Sequence, residues 1–225
     1  QVQMGRKVVD APGDAKEDLD IIIDLGNALG LNWTYKHVSE VFNEMASIMP
    51  SLNNITWDRV DKEESVTYPC EATDQPGTEI VFSQNFPTNS GLGKIVPTNI
   101  ISPDELPDQN FPFVLTTGRL LEHWHTGSMT RKSETLDKIE PEAIVSMNSQ
   151  DMNFLKLEPG NKVTVKTRRG SVTLSVRQDR ELPKGMIFIP FCFSEAAANK
   201  LTNPQLDPYG KIPEFKYCAA NIEAC

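Results

Sequence analysis

The residues best suited to binding chemistry lie together in one stretch, residues 111–131, with the sequence FPFVLTTGRLLEHWHTGSMTR. Its apolar start predicts a buried strand that ends in TTGR at 116–119, where two hydroxyls and a glycine favour a turn with free backbone amides. A second turn is predicted at HTGS, 125–128. Arginine, present at Arg119 and Arg131, suits phosphates and planar heterocycles because its donors form a rigid fork. The residue types predict an anion-binding loop, with an ordinary polar loop as the alternative.

The composition is that of a folded, acidic protein. The 225 residues are 39% hydrophobic and carry a net charge of -9, which argues against duplex nucleic acid or an anionic membrane surface as the main partner. No apolar stretch approaches the roughly 20 residues that a membrane-spanning helix needs. The first residue is Gln1, which indicates a processed product or a piece of a longer polypeptide.

The cysteines suggest a reduced environment. Cys70, Cys192, Cys218 and Cys225 form no CxxC pair, so a zinc site or an iron–sulfur cluster held by this chain alone is not expected. Cys192 lies in an apolar run and is interpreted as a small buried hydrophobe. Unpaired thiols favour a cytoplasmic protein. A periplasmic location stays open, since an export signal would lie in preceding sequence.

The first half of the chain divides into a helical part and an irregular part. Apolar residues recur at helical spacing over 19–29 and again over 38–49, so residues 1–60 are interpreted as the helical remainder of an upstream α/β domain. Residues 61–110 form a predicted connector, because proline and glycine interrupt every pattern except one strand at 79–86. The acidic residues at its end are interpreted as a solvated face; they are Asp104, Glu105 and Asp108.

From residue 111 onward the pattern predicts mainly β structure. Ser149 is predicted to cap a short helix, and the Arg168-Arg169 pair to form a solvent-facing hairpin turn. Five or so short strands with an embedded helix indicate a closed barrel, because closure removes exposed edges. The predicted strands are 113–115, 143–147, 162–167, an alternating segment around 172–176, and 186–191.

Three separated motifs occur in order: TTGRLLEHWHTGSMTR, PFCFSEAAANKLTNPQLDP and KIPEFKYCA. In sequence and spacing they resemble the C-terminal part of the bis-molybdopterin guanine dinucleotide oxidoreductases. Within these enzymes the chain is most similar to the catalytic (alpha) subunit of formate dehydrogenase. Weaker likeness in RKVVDAPGDAKEDLDIIIDLGNALG and YPCEATDQPGTEIVF extends the resemblance over nearly the whole chain.

The resemblance implies a fold that is α+β to mainly β. Residues 111–225 would form a molybdopterin dinucleotide-binding double-psi β-barrel, preceded by a partial α/β segment. The implied cofactor is molybdopterin guanine dinucleotide (bis-MGD) with molybdenum or tungsten, held between the barrel and upstream domains.

The resemblance also implies which residues contact this cofactor. Gly118 would allow a close approach, Arg119 a polar or charged contact, and Phe191 would lie near the substrate channel. No residue of the chain is assigned a catalytic role or a bond to metal. The implied cofactor-binding residues are Thr117, Gly118, Arg119, Leu120, Glu122, His123, His125, Thr126, Ser128, Met129, Asn199 and Lys216.

The resemblance implies other groups that the 225 residues do not contain. Its members hold a 4Fe–4S cluster near the N-terminus and ligate the metal through a cysteine or selenocysteine, with a catalytic His and Arg nearby. The chain alone is therefore expected to be inactive. Its expected partners are the remainder of the same catalytic subunit and electron-transfer subunits with iron–sulfur or flavin groups. Cys192 also departs from the histidine expected there in formate dehydrogenases.

Three functions stay open from the sequence. The first is the C-terminal cofactor-binding part of a formate dehydrogenase, which EAAANKLT together with KIPEFK favours. The second is the equivalent part of a molybdenum nitrate reductase, which shares the TGRLLEHWHTGSMTR stretch. The third is a stand-alone subunit that completes a cofactor site or assists assembly in trans.

Overall fold

The computed structural model describes residues 1–225 and divides them into two units, Gln1–Pro97 and Thr98–Cys225. The boundary lies inside residues 61–110, the segment that the sequence predicts as a connector. Helices dominate the first unit, whereas the second is mainly β structure. None of the helices is long and apolar enough to cross a membrane.

The first unit contains both predicted helices and a third, shorter one. Its elements are β1 (Val2–Gln3), α1 (Asp18–Ala28), α2 (Val38–Ile48), α3 (Trp57–Glu63) and β2 (Ser65–Val66). The two strands pair antiparallel. Thr56 caps α3, because its hydroxyl accepts a hydrogen bond from the Arg59 amide at 3.2 Å. Ile55 and Val60 are almost fully buried in a small core of this unit.

The prediction of a strand at 79–86 is wrong. This segment forms bends and turns, and Phe82 has φ of 58°, which an extended strand does not hold. Ile80 and Phe82 are exposed. The Phe82 ring stacks on the Phe86 ring, with 5.4 Å between centroids. The apolar side chains that suggested a strand therefore pack partly on one another, and residues 79–86 pair with no strand.

The second unit contains six strands and two short α-helices. All five predicted strands are present, with ends that differ by up to three residues from the predicted ones. Helix capping differs: the side chain of Asn148, not Ser149, accepts the hydrogen bond from the Gln150 amide at 2.8 Å. The elements are β3 (Phe113–Gly118), α4 (Glu134–Ile139), β4 (Ile144–Met147), α5 (Ser149–Phe154), β5 (Lys162–Lys166), β6 (Ser171–Gln178), β7 (Met186–Pro190) and β8 (Cys218–Ala224).

The six strands close into a barrel in the order β3-β7-β4-β6-β5-β8. Two neighbouring pairs, β3 with β7 and β4 with β6, are parallel, and the other four pairs are antiparallel. The predicted closed barrel is therefore confirmed, and its strands are mixed in direction. Closure leaves no strand with an unpaired edge.

One barrel strand, β8, was not predicted from the sequence. Its residues, CAANIEA, include three alanines and an asparagine, which have low strand propensity. The strand forms because it pairs with β3 on one side and with β5 on the other. Tertiary pairing thus overrides local preference where the barrel closes.

Alternating side chains from the strands fill the barrel interior. Leu115, Val163, Val165 and Ile187 have no exposed surface, as expected for the inward face of a closed sheet. Cys192 packs in the same core at 2% exposure, which confirms its interpretation as a small buried hydrophobe. Burial raises the pKa of the Cys192 thiol to about 11, so the thiol stays protonated at neutral pH.

Glu105 does not lie on a solvated face, contrary to the prediction. Its side chain is only 11% exposed and pairs with both Arg168 and Arg169. It also accepts a hydrogen bond of 2.7 Å from the amide of Ala219. Arg169 donates further to the carbonyl of Leu201 at 2.9 Å. The predicted hairpin turn is present and Arg168 is exposed as expected, but Arg169 and Glu105 connect the segment before the barrel, this hairpin and β8.

The hydrogen bonds decide the charge of Glu105. Burial by itself would raise the pKa of this carboxyl. The hydrogen bonds from Arg169 and from the Ala219 amide outweigh burial and hold the pKa of Glu105 below its ordinary value. The folded state therefore favours the ionised carboxylate.

We expect Glu105→Gln to lower the free energy of unfolding by about 1–3 kcal/mol at pH 7, because Arg168 and Arg169 lose the charged acceptor that they share. Since the folded pKa is depressed, this contribution is present above the unfolded pKa of about 4.3 and disappears as the pH falls through the folded pKa. Urea unfolding of wild type and variant should therefore converge at acid pH. Glu158→Gln, which changes an exposed carboxyl, is the control. A difference that persists undiminished in acid would contradict this role.

Candidate functional site

The site is positioned by the parallel pair β3 and β7. Gly118, the last residue of β3, lies opposite Pro190, the last residue of β7. The amide of Phe191 donates to the carbonyl of Gly118 at 3.1 Å, so the two following loops begin side by side. Ligands commonly bind where neighbouring parallel strands end, because the loops diverge there. The segments 119–131 and 191–196 are called loop A and loop B below.

The predicted turn at 116–119 is wrong, because the strand continues through Gly118 in register with β7. Thr117 is 4% exposed, and its hydroxyl donates to the carbonyl of Phe215 at 3.1 Å. A Cβ atom on Gly118 would lie 2.7 Å from the Phe188 ring, so this position has little space for a side chain. Backbone amides become available for turn formation only from Arg119 onward.

A cleft of about 500 Å³ opens where β3 ends, and we call it the Arg119 cleft. Its lining residues come from loop A, loop B and the segment before β8. Arg119 and Lys216 take part in no salt bridge. The Lys216 ammonium lies 5.9 Å from the centroid of the Phe215 ring. The lining residues are Gly118, Arg119, His125, Phe191, Phe215 and Lys216.

The Arg119 cleft combines two unpaired cations with two aromatic rings. The cations can bind phosphate or another anion, and the rings can contact a planar heterocycle. Five of its six lining residues were predicted from the sequence as cofactor-binding or channel residues. Phe215 was not, although it immediately precedes Lys216 in the motif KIPEFKYCA and the Thr117 bond holds its carbonyl.

A second cleft of about 460 Å³ lies between loop A and loop B, and we call it the Arg131 cleft. Of the predicted cofactor-binding residues it contains Thr126 and Ser128. Its arginine is already paired, because Arg131 contacts Asp137 at 2.6 Å and Glu195 at 3.1 Å. The lining residues are Thr126, Gly127, Ser128, Arg131, Lys132, Cys192, Ser194 and Glu195.

The turn predicted at 125–128 is confirmed, and its backbone explains the glycine. His125 has φ of 49° and Gly127 has φ of 74°, and the Gly127 amide donates to the carbonyl of Trp124 at 2.9 Å. A Cβ atom at Gly127 would lie 2.7 Å from both the Cγ atom of Arg131 and the carbonyl oxygen of Cys192. This turn directs His125 toward the Arg119 cleft while Thr126 and Ser128 line the other.

The structure places the remaining predicted residues differently. His123 is 1% exposed; its Nε2 atom lies 2.8 Å from the Glu140 carbonyl and its Nδ1 atom 3.3 Å from the Thr130 hydroxyl. Both ring nitrogens therefore have protein partners. Thr117 is likewise internal, and Leu120 packs on the barrel core. The predicted residues that line neither cleft are Thr117, Leu120, Glu122, His123, Met129 and Asn199.

We expect Gly127→Ala to be more destabilising than Gly160→Ala. Both residues have positive φ, which costs a residue with a Cβ atom about 1 kcal/mol. At Gly160 no atom lies within 4 Å of the added Cβ, whereas at Gly127 a backbone carbonyl lies at 2.7 Å. Steric crowding should add about 1–3 kcal/mol for Gly127→Ala. Urea unfolding of the two variants measures the difference, and equal losses would show that the close approach is unimportant.

Comparison with known proteins shows which of them this chain resembles. Residues 113–219 match the family described as Molydopterin dinucleotide binding domain. Over 99% of its length the chain is 41% identical to the F420-dependent formate dehydrogenase subunit alpha of Methanocaldococcus jannaschii. Over 94% of its length it is 32% identical to the assimilatory nitrate reductase catalytic subunit of Bacillus subtilis. It covers 33% and 31% of these relatives, about a third of their length.

A solved structure shares the fold. Acetylene hydratase from Pelobacter acetylenicus matches 99% of this chain and 35% of its own, with a TM-score of 0.70 and 20% sequence identity. The closed mixed barrel and the sequence match agree with the predicted fold class. Residues 113–219 therefore match the Molydopterin dinucleotide binding domain family, with the predicted double-psi β-barrel as their fold, and over 99% of its length the chain is similar to formate dehydrogenase alpha subunits.

Proposed function

We propose that this chain is the cofactor-binding part of a formate dehydrogenase alpha subunit and that the Arg119 cleft binds the guanine dinucleotide form of molybdopterin. One observation carries the proposal: Arg119 and Lys216 lie unpaired beside Phe191 and Phe215, in a barrel of this family. A pterin dinucleotide presents a pyrophosphate together with flat heterocycles. Unpaired cations and aromatic rings are the groups that such a ligand requires.

The residues of the clefts have different proposed roles. Arg119 offers a planar fork of donors, and Lys216 a single mobile positive charge. Gly118 allows close approach of the ligand, and His125 offers a ring nitrogen. Thr126 and Ser128 extend the binding wall into the Arg131 cleft. His123 and Leu120, which line neither cleft and pack inside the protein, are proposed to support this wall from behind.

The proposed cofactor, a molybdenum or tungsten centre bound by two pterins, would supply the redox chemistry. In this reaction formate loses two electrons and a proton and becomes carbon dioxide. The residues of this chain bind and orient the cofactor. The metal ligand and a 4Fe–4S cluster are proposed to belong to the remainder of the same catalytic subunit. Electrons would pass from there to iron–sulfur or flavin subunits. By this proposal the 225 residues alone are inactive.

The identity of 37–41% to formate dehydrogenase alpha subunits supports formate as the substrate. Nitrate reductase is the second candidate, supported by the 32% identity to the Bacillus subtilis enzyme and by the shared TGRLLEHWHTGSMTR stretch. A stand-alone binding subunit is the third. We place the protein in the cytoplasm because all four cysteines are free, with the periplasm as the alternative.

We expect Arg119→Ala and Lys216→Ala, made in the intact catalytic subunit, each to lower the retained pterin dinucleotide about tenfold. A hydrogen bond to a charged group contributes roughly 1.5–3 kcal/mol, and each variant loses one such group. Oxidation of the purified protein, followed by quantification of the released pterin and of molybdenum and tungsten, measures this content. Arg180→Ala, an exposed arginine outside both clefts, is the control. Full pterin and metal content in both cleft variants would count against the site.

An activity comparison separates the three functions. We expect the metal-loaded catalytic subunit to reduce a viologen dye with formate and not to oxidise the reduced dye with nitrate. The opposite pattern would support the nitrate reductase alternative. Recovery of a native polypeptide of only 25.1 kDa, which restores activity when added to a separate subunit, would support the third function.

A further inference from the structure

We propose that Arg131 is a positioning residue: it holds loop A and loop B in one arrangement and thereby sets the shape of both clefts. It is not proposed as a cation for an anionic ligand, although it lines a cleft and belongs to the arginine-flanked stretch that the sequence singled out. The inference rests on the proposed binding function of the clefts, and it concerns a residue that is not among the implied cofactor-binding residues.

The charge of Arg131 is already balanced within the protein. Its Nε atom donates to Asp137 at 2.6 Å, and its Nη1 atom contacts the two carboxylate oxygens of Glu195 at 3.1 and 3.3 Å. Only 24% of the side chain is exposed. Two carboxylates on one guanidinium leave no excess positive charge for a phosphate at this point. Arg119 differs, since it has no carboxylate partner.

The contacts of Arg131 join three separate segments. Arg131 ends loop A, Asp137 lies in α4, and Glu195 lies in loop B. The guanidinium carbon also sits 4.7 Å from the centroid of the Phe193 ring, a residue of loop B that is 1% exposed. A cation placed over an aromatic face is attracted by the ring quadrupole. One side chain thus fixes loop A to loop B by charge and by stacking.

His123 reinforces the same connection from inside. Its ring packs edge-on against Phe193, with 5.7 Å between centroids and 81° between planes. Its nitrogens contact the Thr130 hydroxyl and the Glu140 carbonyl. His123 and Arg131 therefore both pack against Phe193. They lie at the two ends of the loop A segment that carries the cleft residues His125, Thr126 and Ser128. Loss of this connection would let that segment move relative to Phe191.

The two possible roles of Arg131 predict opposite effects when its acidic partners are neutralised. If Arg131 binds an anionic ligand, Glu195→Gln and Asp137→Asn should strengthen ligand binding, because they free its charge. Arg131→Lys should then largely preserve binding. If Arg131 positions the loops, both Glu195→Gln and Asp137→Asn should weaken ligand binding. Lysine should fail to replace Arg131, because an ammonium cannot contact both carboxylates and stack on the Phe193 ring as a planar guanidinium does.

The experiment uses the catalytic subunit that contains this chain, prepared with and without cofactor. Hydrogen exchange of the peptide around residues 124–132 is measured in the cofactor-free protein, where the Arg131 amide bonds to Gly127 and the Lys132 amide to Met129. Pterin and metal contents are measured in the loaded protein. The variants are Arg131→Gln, Arg131→Lys, Asp137→Asn and Glu195→Gln. Lys138→Gln, which removes an exposed cation of α4 outside both clefts, is the control.

We expect all four variants to speed exchange of this peptide about tenfold, as for local opening of a loop, and to lower pterin content, while Lys138→Gln changes neither. Unchanged exchange, or higher pterin content in Glu195→Gln, would overturn the proposal. Glu195 is half exposed, so this variant keeps the test valid if Arg131→Gln fails to fold. Faster exchange in the variants, with pterin content insensitive to Arg119→Ala, would mean that the positioning role stands and the proposed binding function fails.

Discussion

The parallel pairing of β3 with β7 is the constraint on which the rest of the site depends. Because the two strands run in the same direction and end together at Gly118 and Pro190, the loops that follow them must start side by side. An antiparallel pair would send them to opposite ends of the barrel. Arg119 and Phe191, 72 positions apart by their numbers, become neighbours for this reason alone. The barrel contributes rigidity, and the loops contribute the chemistry.

Pairing of charges separates arginines that look equivalent in the sequence. Arg131 and Arg169 are each neutralised by carboxylates and connect segments of the fold. Arg119 lies in a cleft beside Lys216 and has no such partner. A guanidinium whose donors are already satisfied adds to stability, whereas an unsatisfied one is available to a ligand. In an acidic protein, two unpaired cations in one cleft are the local feature that supports anion binding.

The division of labour within the proposed enzyme follows from the same geometry. The clefts offer cations, aromatic rings and hydroxyls, which bind and orient a ligand. The chain shows no group of three or more His, Cys, Asp or Glu side chains arranged to hold a metal ion. Since the chain spans about a third of its relatives, the residues that act on the substrate are proposed to belong to the other two thirds. Binding energy from one part would then position the reacting centre held by another.

The sequence by itself determined the barrel strands with strong apolar alternation, the turn at 125–128 and five residues of the Arg119 cleft, which its motifs carried. Local spacing predicts the strands and the turn because they depend on neighbours along the chain, whereas the cleft residues followed from the resemblance of the motifs to a known family. Tertiary structure decided the rest. It made a strand of the alanine-rich β8, brought Glu105 to Ala219, turned His123 inward and placed Phe215 in one cleft with Arg119. Each of these depends on contacts between residues far apart in sequence, whose energy no local pattern expresses.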